Sequence, residues 1–482
     1  MTAKKKHKTY KIVLGALYGD EGKGAVTQWL CKKELDEGRK PVVVRFSGGA
    51  QAAHTVRQKL DNGKEIAHIC SSLGSGVLLG VDTYLDDMFF LDPIMLMNEI
   101  EALQIEIAES GSPLGKEFMP KVWINDWCRI VTPYDIIDNR NDRKARENGT
   151  CGKGVNSAFR RYNSKFGVYP WKKISVKSKE NSLREILKNP QEYLDRVKKY
   201  YDFPEKAKTL RWTISTDLQV TSIDELDWMF CDAVTKINRL IAKDYIKIRE
   251  EDFWRSGLYD TVIYEGSQGL LLDMENGFDP WTTSSRVGLN GIPRRVTKEK
   301  SEDFDPVLDT EVYLVTRSYL TRHGLGYGEN HINTSYGDSY FKAVLAADDP
   351  TETNINNEFQ GVFHRYVYDI GLLDRAIDRH NLDNYDLRFN LMITHADTID
   401  RFVKYSGAEV ADFKLPYFFE SSTRQTDLWP VIDENGELKE VANVHQLKDM
   451  ILKQKKGKFP LARNTVFGVW YSDNPYGDFK RC

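Results

Sequence analysis

The sequence predicts an α/β protein with a large, mostly parallel central sheet flanked by helices, and three features of its 482 residues carry that reading. Short apolar, β-branched runs recur, and each leads into a polar or glycine-bearing loop. Segments of helical period lie between them. The first run opens into a glycine-studded loop and then a helix-like stretch, "KIVLGALYGDEGKGAVTQWL", the layout of a phosphate cradle. Runs this short and this apolar read as strands buried on both faces. In such sheets ligands collect at the carboxyl ends of the strands.

Taken in order, the predicted strands are "YKIVL", "PVVVRF", "DTVIYEG", "VYLVTR", "RFNLMIT" and "NTVFGVWYS". "LDPIMLMNEIEALQIEI" has a helix's spacing. From Lys172 the composition turns Lys/Glu-rich and amphipathic, as in "SLREILKNPQEYLDRVKKYY", and predicts a mostly helical excursion over about 172–260. Residues 1–8 form a basic tail without the apolar core of a signal peptide, and no stretch is long and apolar enough to span a bilayer. A net charge of −3 gives no global pull toward nucleic acid or membrane, so neither is expected as a partner. Six cysteines without a C-x-x-C pair read as reduced thiols in a cytoplasmic protein.

The opening loop is not a standard P-loop, G-x-x-x-x-G-K-[ST]. Leu17 takes the place of the first glycine, and Gly24 that of the magnesium-binding hydroxyl residue. Its glycines let the backbone approach an anion, and Lys23 supplies a point charge. Asp20 is the odd member: beside phosphates it holds Mg²⁺, takes a proton from substrate, or simply caps the helix. The second loop, "RFSGGAQAAHTV", offers Gln51, His54 and Thr55. The third, "NGTCGKGVNSAFRRYNSK", offers Thr150, Lys153, Arg160, Arg161 and Lys165 around three glycines, either a second phosphate wrap or a plain glycine turn. In the fourth, "YEGSQGLLLDMENGFDPWTTSS", Gln268, Thr282 and Thr283 are neutral groups of the kind that read a base or grip a monophosphate. In "ITHADTID", Asp397 is placed to accept from guanine N1–H and N2–H together, which adenine lacks.

Together "GDEGKG", "GG-x-x-A-x-HT", "GT-x-G-x-G", "EG-x-QG-x-LLD" with "TSS", "TR-x-G-x-G", "NEF" and "T-x-x-D" make the chain resemble the adenylosuccinate synthetases in order and spacing. The resemblance implies a P-loop-NTPase-like adenylosuccinate synthetase fold in a single domain over 1–482. It also implies a Mg²⁺-dependent ligase that couples GTP hydrolysis to joining the amine of L-aspartate to C6 of IMP. By the same matching, Asp20 and His54 are catalytic: Asp20 removes the N1 proton, and His54 stabilises the 6-oxyanion and the phosphoryl group it attacks. Gly19, Glu21, Gly22, Lys23, Gly24, His54, Thr55 and Asp397 fall at the GTP positions. Asp20, Gln51, Thr150, Cys151, Lys165, Gln268 and Thr283 fall where the family holds the acceptor purine nucleotide. Asp20 and the backbone of Ala53 fall where it holds the metal. Lys165 matches an arginine that reaches into the neighbouring subunit, so a homodimer is implied.

The family usually has asparagine at Gln51, threonine at Cys151 and histidine at Ala50, so the acceptor purine is open to change. The amine-donor loop departs further. Where the family has two threonines and an arginine cluster, this chain has Gly361, Val362, Phe363, His364 and Arg365. Each charged hydrogen bond forgone to a dicarboxylate costs roughly 1.5–3 kcal/mol, so Arg317, Arg322 or Arg375 would have to substitute for L-aspartate to remain the donor. Three readings therefore stand: the aspartate ligase, the same activation step with another purine (GMP or dGMP) or amine, and a purine-nucleotide-binding regulator without turnover. A related branch acting on guanine nucleotides typically has serine at the Asp20 position, and the aspartate here argues against it.

Overall fold

The computed structural model describes residues 8–147, 149–164, 181–202, 222–249, 257–279, 281–300, 304–323, 363–399, 429–453 and 466–482. Their contacts gather into two compact units. One comprises Met1–Leu30, Gln268–Thr282 and Arg286–Cys482; the other comprises Cys31–Ser267 and Thr283–Ser285.

In the first unit the strands Thr9–Gly15, Thr310–Arg317, Arg388–Thr394 and Val466–Tyr471 lie side by side in parallel, with the short Lys480–Arg481 antiparallel at the edge. Ile12 stands opposite Val312, and Val312 opposite Phe389. All three side chains are fully buried, as expected of strands covered on both faces. Beyond the strand ends, Leu320–His323 pairs antiparallel with Phe363–Tyr366. Tyr368–Asp369 joins the hairpin of Trp429–Ile432 and Leu438–Val441, and the Asp369 side chain caps the helix Ile370–Arg379.

The second unit holds five parallel strands in the order Thr261–Gly269, Pro41–Arg45, Asp82–Leu85, Val122–Asn125 and Ile246–Arg249. A hairpin of His54–Lys59 and Glu65–Cys70 rises beside them. The helix Pro93–Ser110 begins where Asp92 caps two amides and Pro93 takes the first turn, and it ends at Gly111 with φ +70°. Pro133–Asn141 starts on a reciprocal Thr132–Asp135 capping box. Arg143–Glu147, Val155–Ser164, Leu183–Lys188, Pro190–Tyr201 and Ile223–Ala242 complete the α-helices described there.

The six predicted strands and the predicted long helix all form. Among the strands not expected are three more parallel ones, Asp82–Leu85, Val122–Asn125 and Ile246–Arg249, the last lying inside the stretch read as helical, together with the edge strand Lys480–Arg481 and the short strands of the smaller sheets. The remainder of that excursion, where described, is helical; residues 165–180, 203–221 and 250–256 lie outside the described residues, as do 1–7 of the basic tail. All six cysteines are free thiols. Among the described residues no helix is long and apolar enough to cross a membrane.

One candidate phosphate cation is used structurally. Arg161 is fully buried, forks onto both oxygens of Asp135 at 2.8 and 2.9 Å, and donates to the Tyr193 hydroxyl at 2.9 Å. Tyr201 donates to the same aspartate at 2.7 Å. The neighbouring Arg160 pairs with Asp138 and Asp142. Removing one partner of a buried ion pair strands the other charge, which costs about 3–5 kcal/mol. Asp135→Ala should lower the unfolding free energy by that amount, read from urea denaturation; a loss below about 1 kcal/mol would show the pair to be dispensable.

A second buried cluster joins the hairpin to the long helix. His68 lies 2.7 Å from Glu106 and 3.7 Å from Glu99, whose carboxylate also accepts the amides of Ser71, Ser72 and Leu73. Burial opposes charge on His68, but the two glutamates outweigh it and raise its pKa to about 9. The folded form thus holds this proton more tightly than the unfolded chain, so its stabilising effect is complete below about pH 6.5 and fades as pH rises through about 9. The stability difference between wild type and His68→Gln should be largest at pH 6 and shrink toward pH 9.5, as followed by denaturation at a series of pH values.

Candidate active site

In the first unit the opening strand ends at Gly15, and the helix Lys23–Asp36 begins eight positions on. Between them the backbone turns through Gly19 (φ +92°), Asp20 (φ +54°) and Gly22 (φ +86°). Three side chains hold successive carbonyls of this turn. Thr321 Oγ1 donates to Gly19 O at 3.2 Å, Arg317 Nε donates to Asp20 O, and Thr394 Oγ1 donates to Glu21 O at 2.9 Å. A trans peptide points its N–H opposite to its C=O. The amides of Asp20, Glu21 and Gly22 are therefore aimed away from these tethers, a set of donors suited to an anion. Lys23, 2% exposed, stands at the first position of the helix.

Glu21 turns inward. Its Oε1 accepts the Leu17 amide at 2.6 Å, and burial pushes its pKa up to about 8 despite the nearby Lys23. The Asp20 carboxylate stays about one-third exposed, 3.5 Å from His323 Nε2. The helix starts three residues beyond Asp20, at Lys23, and the capping position before it is Gly22, so the capping reading of Asp20 does not hold. Gln268 packs against this loop: a Cβ on Gly15 would come within 2.9 Å of its carbonyl. Gly24 is buried in the first turn, and Asp397 is half-buried at the start of the helical turn 397–399, which follows Thr394 through His395 at φ +55°.

The loop expected to meet the amine donor is described in part. Gly361 and Val362 lie outside the described residues. Phe363, His364 and Arg365 lie on the strand Phe363–Tyr366, with Arg365 opposite Thr321 and Phe363 buried against His323. Of the substitute cations, Arg317 is engaged with the Asp20 carbonyl and with the Tyr319 hydroxyl at 2.6 Å. Arg322 is buried on the facing strand, and Arg375 lies on the helix Ile370–Arg379, where its charge acts on Asp369.

In the second unit the loop after Pro41–Arg45 is built on a buried guanidinium. Arg45 donates to the carbonyls of Leu73 at 2.9 Å and Ala52 at 2.8 Å. Gly48 turns at φ +71° and gives its amide to Ser285 Oγ at 3.2 Å, while Ser47 and Ser267 join hydroxyls at 3.0 Å. Both polar atoms of the Gln51 amide are buried with no hydrogen-bond partner among the described residues. A buried amide of this kind calls for a hydrogen-bond partner beyond the described residues. Ala53 is exposed, and Thr55 is half-buried on the hairpin strand.

His54 is buried, with Nδ1 2.6 Å from Glu265 Oε1. Glu265 is fully buried; burial works against its charge, but His54, Arg45 and Ser75 hold its carboxyl below the usual range. The third loop turns at Gly149, Gly152 and Gly154 (φ +76°, +68° and +78°). Thr150 Oγ1 meets Asn139 Oδ1 at 2.9 Å and accepts the Gly152 amide at 3.4 Å. Burial pushes the Cys151 thiol up, so it stays a neutral group. Ser284 donates to Asn156 at 2.8 Å, which fixes the segment holding half-buried Thr283 to the helix that follows this loop.

Asp20, Glu21, Lys23, Gln268 and Asp397 thus belong to the first unit. Gln51, Ala53, His54, Thr55, Thr150, Cys151 and Thr283 belong to the second. Lys165 lies outside the described residues. The roles of Glu265, His323 and the three tethers were not read from sequence, although Glu265 opens "EG-x-QG-x-LLD", Thr321 and His323 lie in "TR-x-G-x-G", Thr394 opens "T-x-x-D", and Arg317 was considered as a substitute cation. Glu265 had a signal, a lone carboxylate at the end of the apolar run "TVIY". The motifs did not reveal the tethering, because a threonine or arginine at a strand end says nothing of which carbonyl it meets.

Parallel strands with glycine-turned loops at their carboxyl ends define an α/β protein of the class that binds ligands at such loops. More narrowly, the adenylosuccinate synthetase model matches residues 12–406, and the chain belongs to that family. It is 27% identical over 319 residues to the adenylosuccinate synthetase of Marinomonas sp. (strain MWYL1), covering 65% of this chain and 63% of that protein. It is 29% identical over 321 residues to that of Clostridium kluyveri, covering 65% and 64%. The chain therefore spans less than two thirds of the length of these curated relatives. Among solved structures, the fully ligated adenylosuccinate synthetase from Plasmodium falciparum superposes with a TM-score of 0.57 at 16% identity, covering 97% of this chain and 98% of that one. The cyanophage S-2L succinoaminodeoxyadenylate synthetase (PurZ), bound to dGMP and dATP as an energy donor, gives 0.52 at 14%, covering 98% and 95%. These two likenesses establish the shared fold.

Gly22 gives a direct test of the loop. A Cβ there would sit 2.9 Å from Thr394 Cγ2 on a left-handed backbone. Gly22→Ala should cost about 1–2 kcal/mol of stability and weaken binding of a phosphate-bearing nucleotide, if the loop takes one, while Gly38→Ala, also left-handed but with open space around it, should cost stability alone. Chemical denaturation and nucleotide titration of both variants separate the two effects.

Proposed function

We propose that this protein is a GTP-dependent ligase that phosphorylates the 6-oxo group of a purine nucleoside monophosphate, IMP in the first instance, and replaces it with the amine of L-aspartate. The observation that carries the reading is the opening loop: three tethered carbonyls, amides turned the other way, Lys23 at the helix start, and the Asp20 carboxylate left accessible. Such a loop binds a terminal phosphate and holds a base beside it.

In the proposed sequence Asp20 takes the N1 proton, and the electron pair passes through C6 to O6. That oxygen attacks the γ-phosphorus of GTP, and the bond to the β-bridging oxygen breaks to release GDP. His54, presented from the second loop, stabilises charge on O6 and on the phosphoryl group in flight. The amine then attacks C6, the C6–O6 bond breaks, and inorganic phosphate departs with the oxygen, giving the 6-succinylamino purine. Asp397 reads the guanine of GTP, and Gln51, Thr150, Cys151, Gln268 and Thr283 hold the acceptor nucleotide. The unpartnered amide of Gln51 supports that role.

Oxygen donors suit Mg²⁺, and this chain offers the exposed Asp20 carboxylate and the exposed Ala53 backbone, whereas the neighbouring Ala52 carbonyl is taken by Arg45. When bound there, the ion neutralises phosphate charge. We further propose that the two units act as one adenylosuccinate synthetase-like domain, that the protein is a cytoplasmic homodimer, and that Lys165 serves the partner's site.

Incubation with GTP, Mg²⁺, IMP and L-aspartate should give the absorbance change of a 6-succinylamino purine with stoichiometric phosphate release. Asp20→Asn should lower kcat roughly 10²–10⁴-fold. Phosphate release only with another amine would reassign the donor. No release with IMP, dIMP, GMP or dGMP across an amine panel would overturn the ligase reading.

A further inference from the structure

We propose that Glu265 is a positioning residue for the ligase reaction, fixing the ring of His54 so that Nε2 is the nitrogen presented to the substrate. The inference rests on the functional reading above for what His54 does, but on geometry alone for how it is held.

Glu265 ends the apolar run of the strand Thr261–Gly269 and is fully buried, as are the four side chains before it. A carboxylate in such surroundings is costly unless its oxygens are satisfied. Its Oε1 lies 2.6 Å from His54 Nδ1 and also accepts the Ser75 hydroxyl, and its Oε2 accepts the Ser75 amide at 3.0 Å. The nearest cation, Arg45, does not explain the carboxylate as an ion pair. Its hydrogen bonds among the described residues go to the carbonyls of Cys70, Leu73 and Ala52, so it contributes field without a bond. Ser75 and His54 are then the side chains that Glu265 serves. Ser75, through both its amide and its hydroxyl, clamps the carboxylate in one orientation, which leaves the imidazole as the group being oriented.

The chemistry of the contact sets the consequence. A carboxylate oxygen at hydrogen-bond distance requires a hydrogen on Nδ1, and that holds whether the ring is neutral or charged. The second nitrogen, Nε2, is therefore always the one that faces the reaction. The bond also fixes the ring plane, since rotation about χ2 would break it. Second-shell carboxylates of this type typically change activity roughly 10–100-fold when removed.

Glu265→Gln keeps the shape but allows the amide to meet Nδ1 with either its oxygen or its NH₂. It should lower kcat roughly 10–100-fold with KM for GTP changed less than about 2-fold. Ser75→Ala, which loosens the clamp, should give a smaller loss of the same kind. In a His54→Asn background, Glu265→Gln should cost nothing further, whereas a purely structural carboxylate would cost the same in both backgrounds. Independent of turnover, ¹⁵N NMR of histidine-labelled protein should show the His54 Nδ1 protonated in wild type and a mixed population in Glu265→Gln. Additive losses in the double variant, or an unprotonated Nδ1 in wild type, would overturn the proposal. Should wild type fail to turn over any substrate, the ligase reading falls and the NMR result alone decides how His54 is held.

Discussion

The first unit depends on the restraint of three consecutive peptide groups. An anion site needs amides that converge, and a flexible glycine loop would lose much of its affinity to the entropy of ordering. Here the ordering is done in advance by Thr321, Arg317 and Thr394, which come from the ends of two parallel strands and the strand beyond them. Arg317 and Thr394 are side chains at the carboxyl ends of buried parallel strands, so their positions are set by the sheet, and Thr321 follows on the short strand Leu320–His323. The rigidity of the apolar framework is thereby passed to a loop whose Leu17 and Tyr18 are themselves buried.

The second unit uses a different device for the same end. Its loop is anchored from below by charge: Arg45 takes up carbonyls, Glu265 takes up donors, and both are withdrawn from water. Buried groups of this kind are costly unless fully bonded, so the arrangement tolerates few alternatives. The third loop relies on left-handed glycines and on the side-chain oxygens of Thr150 and Asn139. Tethers, buried charge and turn chemistry thus give three solutions to holding polar backbone still at a sheet's edge.

The parts of this organisation legible in the sequence share a property: their signal is local. "YKIVL" and "RFNLMIT" read as strands because five or more apolar residues run together, and the glycine loops read as phosphate contacts because glycine and lysine recur within a few positions. "DTYL", "VWIN" and "IKIR" are strands of four residues each, too short for any period to show, and parallel neighbours such as Tyr84 opposite Trp123 and Ile124 opposite Ile248 set their conformation. Arg161 looks like its neighbour Arg160 in the chain, yet one is buried on Asp135 and the other half-exposed, a difference of one position on a helix. The partners of His54 and Asp20, Glu265 and His323, lie 211 and 303 residues away in sequence and carry no spacing to read.

The left-handed backbone at Asp20 also has an evolutionary reading. Few residues with a side chain accept that conformation; asparagine and aspartate do so most readily, and β-branched ones resist it. Drift at this position is thereby channelled before chemistry is selected at all. Most single replacements would deform the turn, and the few that would not are short polar groups differing from aspartate mainly in basicity. On the proposed reading of Asp20 as the base, a lineage can thus change proton affinity here without rebuilding the loop around it.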